Sequence, residues 1–287
     1  MSTSQSHYCF VKNLGEGTFG KVILLENSRN ANIKIAMKQM ISQDKITKKL
    51  IKSEYQVLQA LTTIGHINVI KMFGMKTDNV TFCMYLEYVD GGELLKKILD
   101  GMSLEKATYY FRQLVEGLAF LHENNVVHRD IKPENLLLTK SDVIKISDFG
   151  FSTFYRNEKG EETMLIQNCG TRLYAAPELF KNDPFRGPPV DVWSAGVVLM
   201  EMIIGVPPWE SATESSFSYL QWILTDDVEA RATIEQIKND SWLVPNTPPA
   251  VSLLRRKMID KNNSEAQQTE YCTTEKRRRL EVLEMSD

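Results

Sequence analysis

The run His128-Arg129-Asp130-Ile131-Lys132-Pro133-Glu134-Asn135, followed by Asp148-Phe149-Gly150, carries the densest chemistry in this chain. Asp130, Asn135 and Asp148 are oxygen donors whose spacing suits one proton acceptor and two ligands of a hard cation. Upstream, Gly15-Glu16-Gly17-Thr18-Phe19-Gly20-Lys21-Val22 lies between apolar, strand-like segments. Glycines there let the backbone approach phosphates and turn its N–H groups onto them. The same spacing opens dinucleotide folds, where a helix follows. Here Val22-Ile23-Leu24-Leu25 continues as a strand, and a plain glycine hairpin is the other reading. Lys38 sits in the next apolar segment, Ala36-Met37-Lys38, and Glu54 falls on the apolar side of the helix expected after it. A carboxylate held against a core-facing stripe needs a partner; Lys38 is the candidate, with its ammonium aimed at phosphate oxygens. Any one of these motifs can arise by chance, so the signal is their joint occurrence in this order.

Positioning such groups takes two units. From Tyr8 to about Met84 the text is β-branched and strand-like, with one amphipathic stretch, Lys45 to Leu61, in which Ile46, Leu50, Ile51, Tyr55, Leu58 and Leu61 keep helical spacing. After Gly91-Gly92, which has the glycines a hinge would need, helices are expected over Leu104–Glu123 and Val190–Ile204, with short strands at Leu136–Leu138 and Ile144–Ile146. The expected fold class is α+β. Residues 8–88 form a small β-rich lobe with one helix, residues 89–244 a larger, mainly helical lobe, and residues 245–287 a polar, disordered tail.

Composition agrees with a large core: 43% of the 287 residues are hydrophobic and 25% charged. The net charge of −3 gives no global basic field, so direct nucleic-acid binding is not expected. Cys9, Cys83, Cys169 and Cys272 are scattered without a C-x-x-C pair, which disfavours a disulfide scaffold and a zinc knuckle and fits a reducing compartment. No secretion signal is readable at the N-terminus. The most apolar stretch, Ala195 to Val206, is broken by Glu201 and falls short of the ~20 residues of a membrane span, so it reads as a buried core helix.

With Ala176-Pro177-Glu178 and Asp191-Val192-Trp193 downstream, the order of motifs resembles the eukaryotic protein kinase family over roughly Tyr8 to Leu243. Within the serine/threonine kinases the chain is most similar to the checkpoint kinases, which belong to the CAMK-like group. The likeness lies in Leu86-Glu87-Tyr88 running into Gly91-Gly92-Glu93-Leu94, in Ile146-Ser147-Asp148-Phe149-Gly150, in Cys169-Gly170-Thr171 and in Ile237-Lys238-Asn239-Asp240-Ser241-Trp242.

The resemblance implies the bilobal kinase fold and transfer of the ATP γ-phosphate to protein serine or threonine hydroxyls by a monomer located in the nucleus, the cytoplasm or both. ATP would lie under Gly15, Gly17 and Gly20, its adenine between Leu14, Val22 and Ala36 above and Leu137 below. Leu86 would be the gatekeeper, and Glu87 to Val89 would offer hinge hydrogen bonds. Lys38, held by Glu54, would contact the α- and β-phosphates, Asn135 and Asp148 would hold Mg²⁺, and Asp130 would orient the acceptor hydroxyl. Lys132 and Thr171 point to serine or threonine as acceptor. Glu93 and Glu134 would receive an arginine three residues before it, although Glu93 could instead cap the helix beginning near Leu94. Leu58, Met72, His128 and Phe149 would stack as a spine, Asp191 would hold the His128-Arg129 turn, and Glu178 would pair with Arg231.

Two departures stand out. Gln167 occupies the place, three before Gly170, where relatives carry a phosphorylated hydroxyl, so activity independent of phosphorylation there is expected, with Thr163 the nearest alternative. Between Trp222 and Ile223 a further helix and a half is missing, which would uncover apolar surface around Trp209, Phe217, Tyr219, Trp222 and Ile223. That shortened lobe opens a second reading, a non-catalytic pseudokinase or scaffold. Phosphotransfer to a small molecule is a weaker third. The tail carries Lys276-Arg277-Arg278-Arg279, of nuclear-localisation type or a solvated basic face.

Overall fold

The computed structural model describes residues 7–17, 20–181, 183–207, 222–240 and 243. The tail with its basic cluster, and Trp209, Phe217 and Tyr219, lie outside the described residues.

The first unit is an antiparallel five-stranded sheet in the order β1-β2-β3-β5-β4, built from β1 (Tyr8–Gly17), β2 (Gly20–Asn27), β3 (Asn30–Ile41), β4 (Met72–Thr77) and β5 (Thr81–Glu87). The glycine motif is the β1–β2 hairpin, closed by the Gly17–Gly20 pair, so the chain does continue as a strand. The helix α1 (Lys45–Ile64) begins at Asp44, whose carboxylate accepts the Thr47 N–H, and ends at Gly65. Those acceptor bonds pull the Asp44 carboxyl down to about 2. Its inner stripe buries Ile51, Glu54, Val57, Leu58 and Leu61. Ile46 breaks the expected stripe: it is 76% exposed, and the buried residues of α1 begin only at Ile51.

The second unit packs α2 (Leu94–Leu99), α3 (Leu104–Glu123), α4 (Gly187–Ile204) and α5 (Ile234–Lys238) around one core, with short ribbons β6–β9 and β7–β8. These are formed by β6 (Val126–Val127), β7 (Leu136–Leu138), β8 (Ile144–Ile146) and β9 (Thr153–Phe154). α4 is the apolar helix expected at its core. Its buried Glu201 is tolerated because its carboxylate accepts the Tyr174 hydroxyl at 2.6 Å.

The hinge glycines fasten rather than loosen. The Gly91 N–H reaches the Leu138 carbonyl at 2.7 Å and the Leu138 N–H returns to Gly92, an approach that leaves no room for a Cβ at Gly91. The expected exposure at the shortened junction is corrected at Ile223. It is fully buried with Leu224 against Gly196 of α4, and Trp222, the other described residue of that group, is partly buried against the same core.

Candidate active site

Strand β3 delivers Lys38 and α1 delivers Glu54 to a common point, where Lys38 Nζ lies 2.7 Å from Glu54 Oε1 and 2.8 Å from Asp148 Oδ1. Burial alone would push the Lys38 ammonium towards neutrality. The two carboxylates outweigh it and hold its pKa above the ordinary lysine value. Burial raises the Glu54 carboxyl despite its partner, while Asp148, also opposed by burial, is drawn below the usual carboxylate range chiefly by Lys38. A cation bound by two anions leaves a net negative cluster, ready to accept a further positive charge.

Asp148 takes a left-handed backbone angle, φ 57°, that turns its carboxylate to Lys38 while Phe149 is buried edge-on against His128, ring centroids 5.0 Å apart. Leu58, Met72, His128 and Phe149 are all buried, and Leu58, Met72 and Phe149 belong to one core cluster. Behind it, Asp191 is fully buried and accepts the backbone N–H groups of His128 at 2.9 Å and Arg129 at 2.8 Å. It also meets His122 Nε2 at 3.0 Å; because a carboxylate only accepts, that nitrogen carries the proton. Although burial works the other way, these donors hold the Asp191 carboxyl below its ordinary value. The turn so gripped puts Arg129 at φ 67° and points Asp130 into the cleft.

Asp130 Oδ1 accepts the Thr171 N–H and hydroxyl, each at 2.8 Å, and Oδ2 faces Asn135 Nδ2 and Lys132 Nζ, each at 3.0 Å. Lys132 also donates to Thr171 Oγ1 at 2.8 Å. Gly170 makes this closure possible: at φ 96° it lies so near the Arg129 carbonyl that a side chain would collide. Asn135 gives its amide N–H groups to the Asp130 carbonyl and carboxylate, which leaves the amide oxygen as a metal donor. Its own carbonyl accepts the N–H and hydroxyl of Ser147, the residue before Asp148, and so joins the two halves of the site.

Among the described residues no cluster of three or more His, Cys, Asp and Glu side chains is arranged for a metal. Two protein oxygens, from Asn135 and Asp148, fit a hard divalent cation that completes its shell with phosphate oxygens and water, as Mg²⁺ does.

The residues expected to line an apolar slot lie along the core. Ala36 and Leu86 are buried, and Leu14, Val22 and Leu137 are partly buried against the same core. Gly15 borders open space. Within the hinge the Glu87 N–H is spent on the Lys71 carbonyl at 2.8 Å, so Glu87 can contribute only its carbonyl and a backbone donor is left to Tyr88 or Val89.

Glu93 occupies the N-cap position of α2, yet its side chain makes no capping bond. It is mostly buried beside Glu134 of the 3₁₀ turn Pro133–Asn135. Burial first, and Glu134 second, push its carboxyl up to about 7 against the pull of Lys132. Arg129 reaches the carbonyls of Phe151 at 2.7 Å and Gln167 at 3.3 Å. Glu178 and Arg231 form the expected pair, with two bonds of 2.6 and 2.9 Å. Sequence reading missed Lys145, a buried lysine of β8 bonded to Glu87. The sequence carried no signal for it: in the strand Ile144-Lys145-Ile146 a lysine between two isoleucines reads as facing away from their side, towards solvent.

The family described as Protein kinase domain matches residues 8–218. The chain is 44% identical to serine/threonine-protein kinase chk-1 of Caenorhabditis briggsae, over 97% of this chain and 64% of that protein. It is 45% identical to serine/threonine-protein kinase chk-1 of Caenorhabditis elegans, over 97% and 61%. To serine/threonine-protein kinase grp of Drosophila melanogaster the identity is 37%, over 75% of this chain and 41% of the relative. The chain thus spans less than two thirds of the length of these relatives. The two chk-1 alignments run over 316 and 311 positions, more than the 287 residues here, so those relatives carry segments without a counterpart in this chain.

Proposed function

The chain belongs to the protein kinase family, and from that premise we propose that it is an ATP-dependent protein serine/threonine kinase acting in checkpoint signalling. The observation that carries this reading is the meeting of Lys38, Glu54 and Asp148 at one end of a cleft whose other end is the Asp130–Lys132–Asn135–Thr171 network. Adenine enters the slot between Leu14, Val22, Ala36 and Leu137, and Lys38 draws the phosphates into line. Mg²⁺ held by Asn135 and Asp148 would offset phosphate charge. Asp130, oriented by its donors, takes up the acceptor hydroxyl and its proton, while Lys132 lies beside the transferred group. Positioning and charge supply most of the acceleration in such a reaction. The scaffold reading drew on the shortened lobe, but Lys38, Glu54, Asp130, Lys132, Asn135 and Asp148 are all present and share bonds, which favours catalysis. Phosphorylation of an arginine-containing peptide by purified protein with Mg-ATP tests the reading. No incorporation above that of an Asp130→Asn control would reject it.

Substrates carry arginine three residues before the acceptor, received by Glu93 and Glu134. Because the Glu93 carboxyl titrates at about 7, it is neutral below that pH and charged above it, and only the charged form pairs with a guanidinium. The KM for such a peptide should therefore fall as pH rises through 7. Glu93→Gln should flatten the profile and raise KM about tenfold at pH 8. A parallel profile for both proteins removes Glu93 from substrate recognition.

Activity does not require phosphate on the activation segment. Arg129 is already engaged by the Phe151 and Gln167 carbonyls, and the Leu165 and Phe185 backbones exchange two bonds of 2.8 Å, so the segment is held without a phosphate. Phosphatase-treated protein, shown by mass spectrometry to carry no phosphate, is expected to retain most of its activity. An inert preparation switched on by phosphate at Thr163 would contradict this. The protein acts on other proteins as a monomer, in the nucleus, the cytoplasm or both.

A further inference from the structure

Lys145 is 6% exposed, and burying an ammonium requires a compensating charge. The compensation comes from across the cleft: Lys145 Nζ lies 3.0 Å from Glu87 Oε1 and 3.1 Å from Oε2. Glu87 ends β5 and begins the hinge. Its Oε2 also accepts the Lys71 N–H at 3.2 Å, while its own N–H goes to the Lys71 carbonyl. One carboxylate therefore ties the end of β5, the approach to β4, and β8 of the other lobe. In the β7–β8 ladder Lys145 stands directly opposite Leu137, the floor of the adenine slot, and cross-strand partners project to the same side. The ion pair and the slot thus share one floor and one hinge residue.

We propose that Lys145 is a positioning residue for the nucleotide: its bond to Glu87 fixes the height of the hinge backbone above Leu137, so that adenine meets a slot already formed. This rests on the nucleotide-binding reading given above. Side-chain exposures of 7% for Lys145 and 25% for Glu87 put the pair largely out of water, where attraction is screened less than at the surface. Without the lysine, the partly exposed Glu87 carboxylate can turn to solvent. The β5 end of the hinge then loses its side-chain tie to β8, while the backbone bonds between Gly91, Gly92 and Leu138 and the fold of the lobe remain.

Lys145→Met keeps the apolar stem and removes the charge. The Kd for Mg-ADP is expected to rise about five- to tenfold, with less than a twofold change in kcat at saturating ATP. The backbone amides of Glu87 to Val89 should exchange faster with deuterium in nucleotide-free protein. Glu87→Gln should weaken nucleotide binding similarly, and the double variant should add nothing further. A lysine with only a structural role would lower Tm without separating Kd from kcat. Nucleotide binding by wild type with an unchanged Kd in Lys145→Met, or additive losses in the double variant, overturns the proposal and leaves the kinase reading standing. Failure of wild type to bind nucleotide removes the kinase reading, and the proposal with it.

Discussion

Replacing Asp130 by Asn lowers kcat by about 10²–10⁴-fold with nucleotide affinity little changed. Four donors from Thr171, Asn135 and Lys132 already hold the carboxylate, so its orientation is set before substrate arrives. Asn keeps the shape but has no basicity, and it turns an NH₂ towards one of these donors. The loss therefore falls on the step in which the hydroxyl is aligned and deprotonated. Peptide phosphorylation at saturating Mg-ATP measures kcat, and a nucleotide titration of the same preparation separates chemistry from misfolding. Equal turnover by variant and wild type would mean that Asp130 is not the group that handles the hydroxyl.

Asp191→Ala should cost about 3–5 kcal/mol of stability and lower Tm by roughly 10 °C. The loss has two parts. The His128 and Arg129 N–H groups are left without an acceptor in the core, and His122 loses its partner. The turn that needs φ 67° at Arg129 then has no anchor, so activity should fall even at temperatures where the variant is folded. The pH dependence follows from the lowered Asp191 carboxyl. A group lowered in the folded state stabilises fully above its unfolded value, about 3.9, and less as pH falls through the folded value. The gap in Tm between wild type and variant should therefore hold from neutral pH down to about 4 and narrow below it. A gap that widened on acidification would rule out an ionised Asp191 as the source.

Much of this site was legible because the chemistry constrains residue type. A metal-binding oxygen, a phosphate-directed ammonium and a close-approach glycine allow few substitutes, so Lys38, Glu54, Asp130, Asn135 and Asp148 stand out by identity and order. Helical spacing placed α3 at Leu104–Glu123, and the short strands Leu136–Leu138 and Ile144–Ile146 were readable because their flanks break the pattern. Periodicity failed at Ile46, where a local pattern cannot tell which turn of an amphipathic helix reaches the sheet. The exposure expected at Ile223 from the missing helix and a half failed for another reason: the chain itself does not reveal that Gly196 leaves a recess for it.

The sequence alone determined which groups are available: their charges, their order, and the two kinds of element that carry them. Only the tertiary structure decided the bonds beyond the expected pairs of Lys38 with Glu54 and Glu178 with Arg231. Lys38 is drawn by Asp148, 110 positions away in the chain, as well as by Glu54. Arg129 is met by carbonyls, and Lys145 crosses to Glu87. The reason is that residue type fixes what a side chain can donate or accept, whereas its partner is fixed by packing many distant segments into one core, where each buried charge must find the counter-charge or donor that the fold brings within reach.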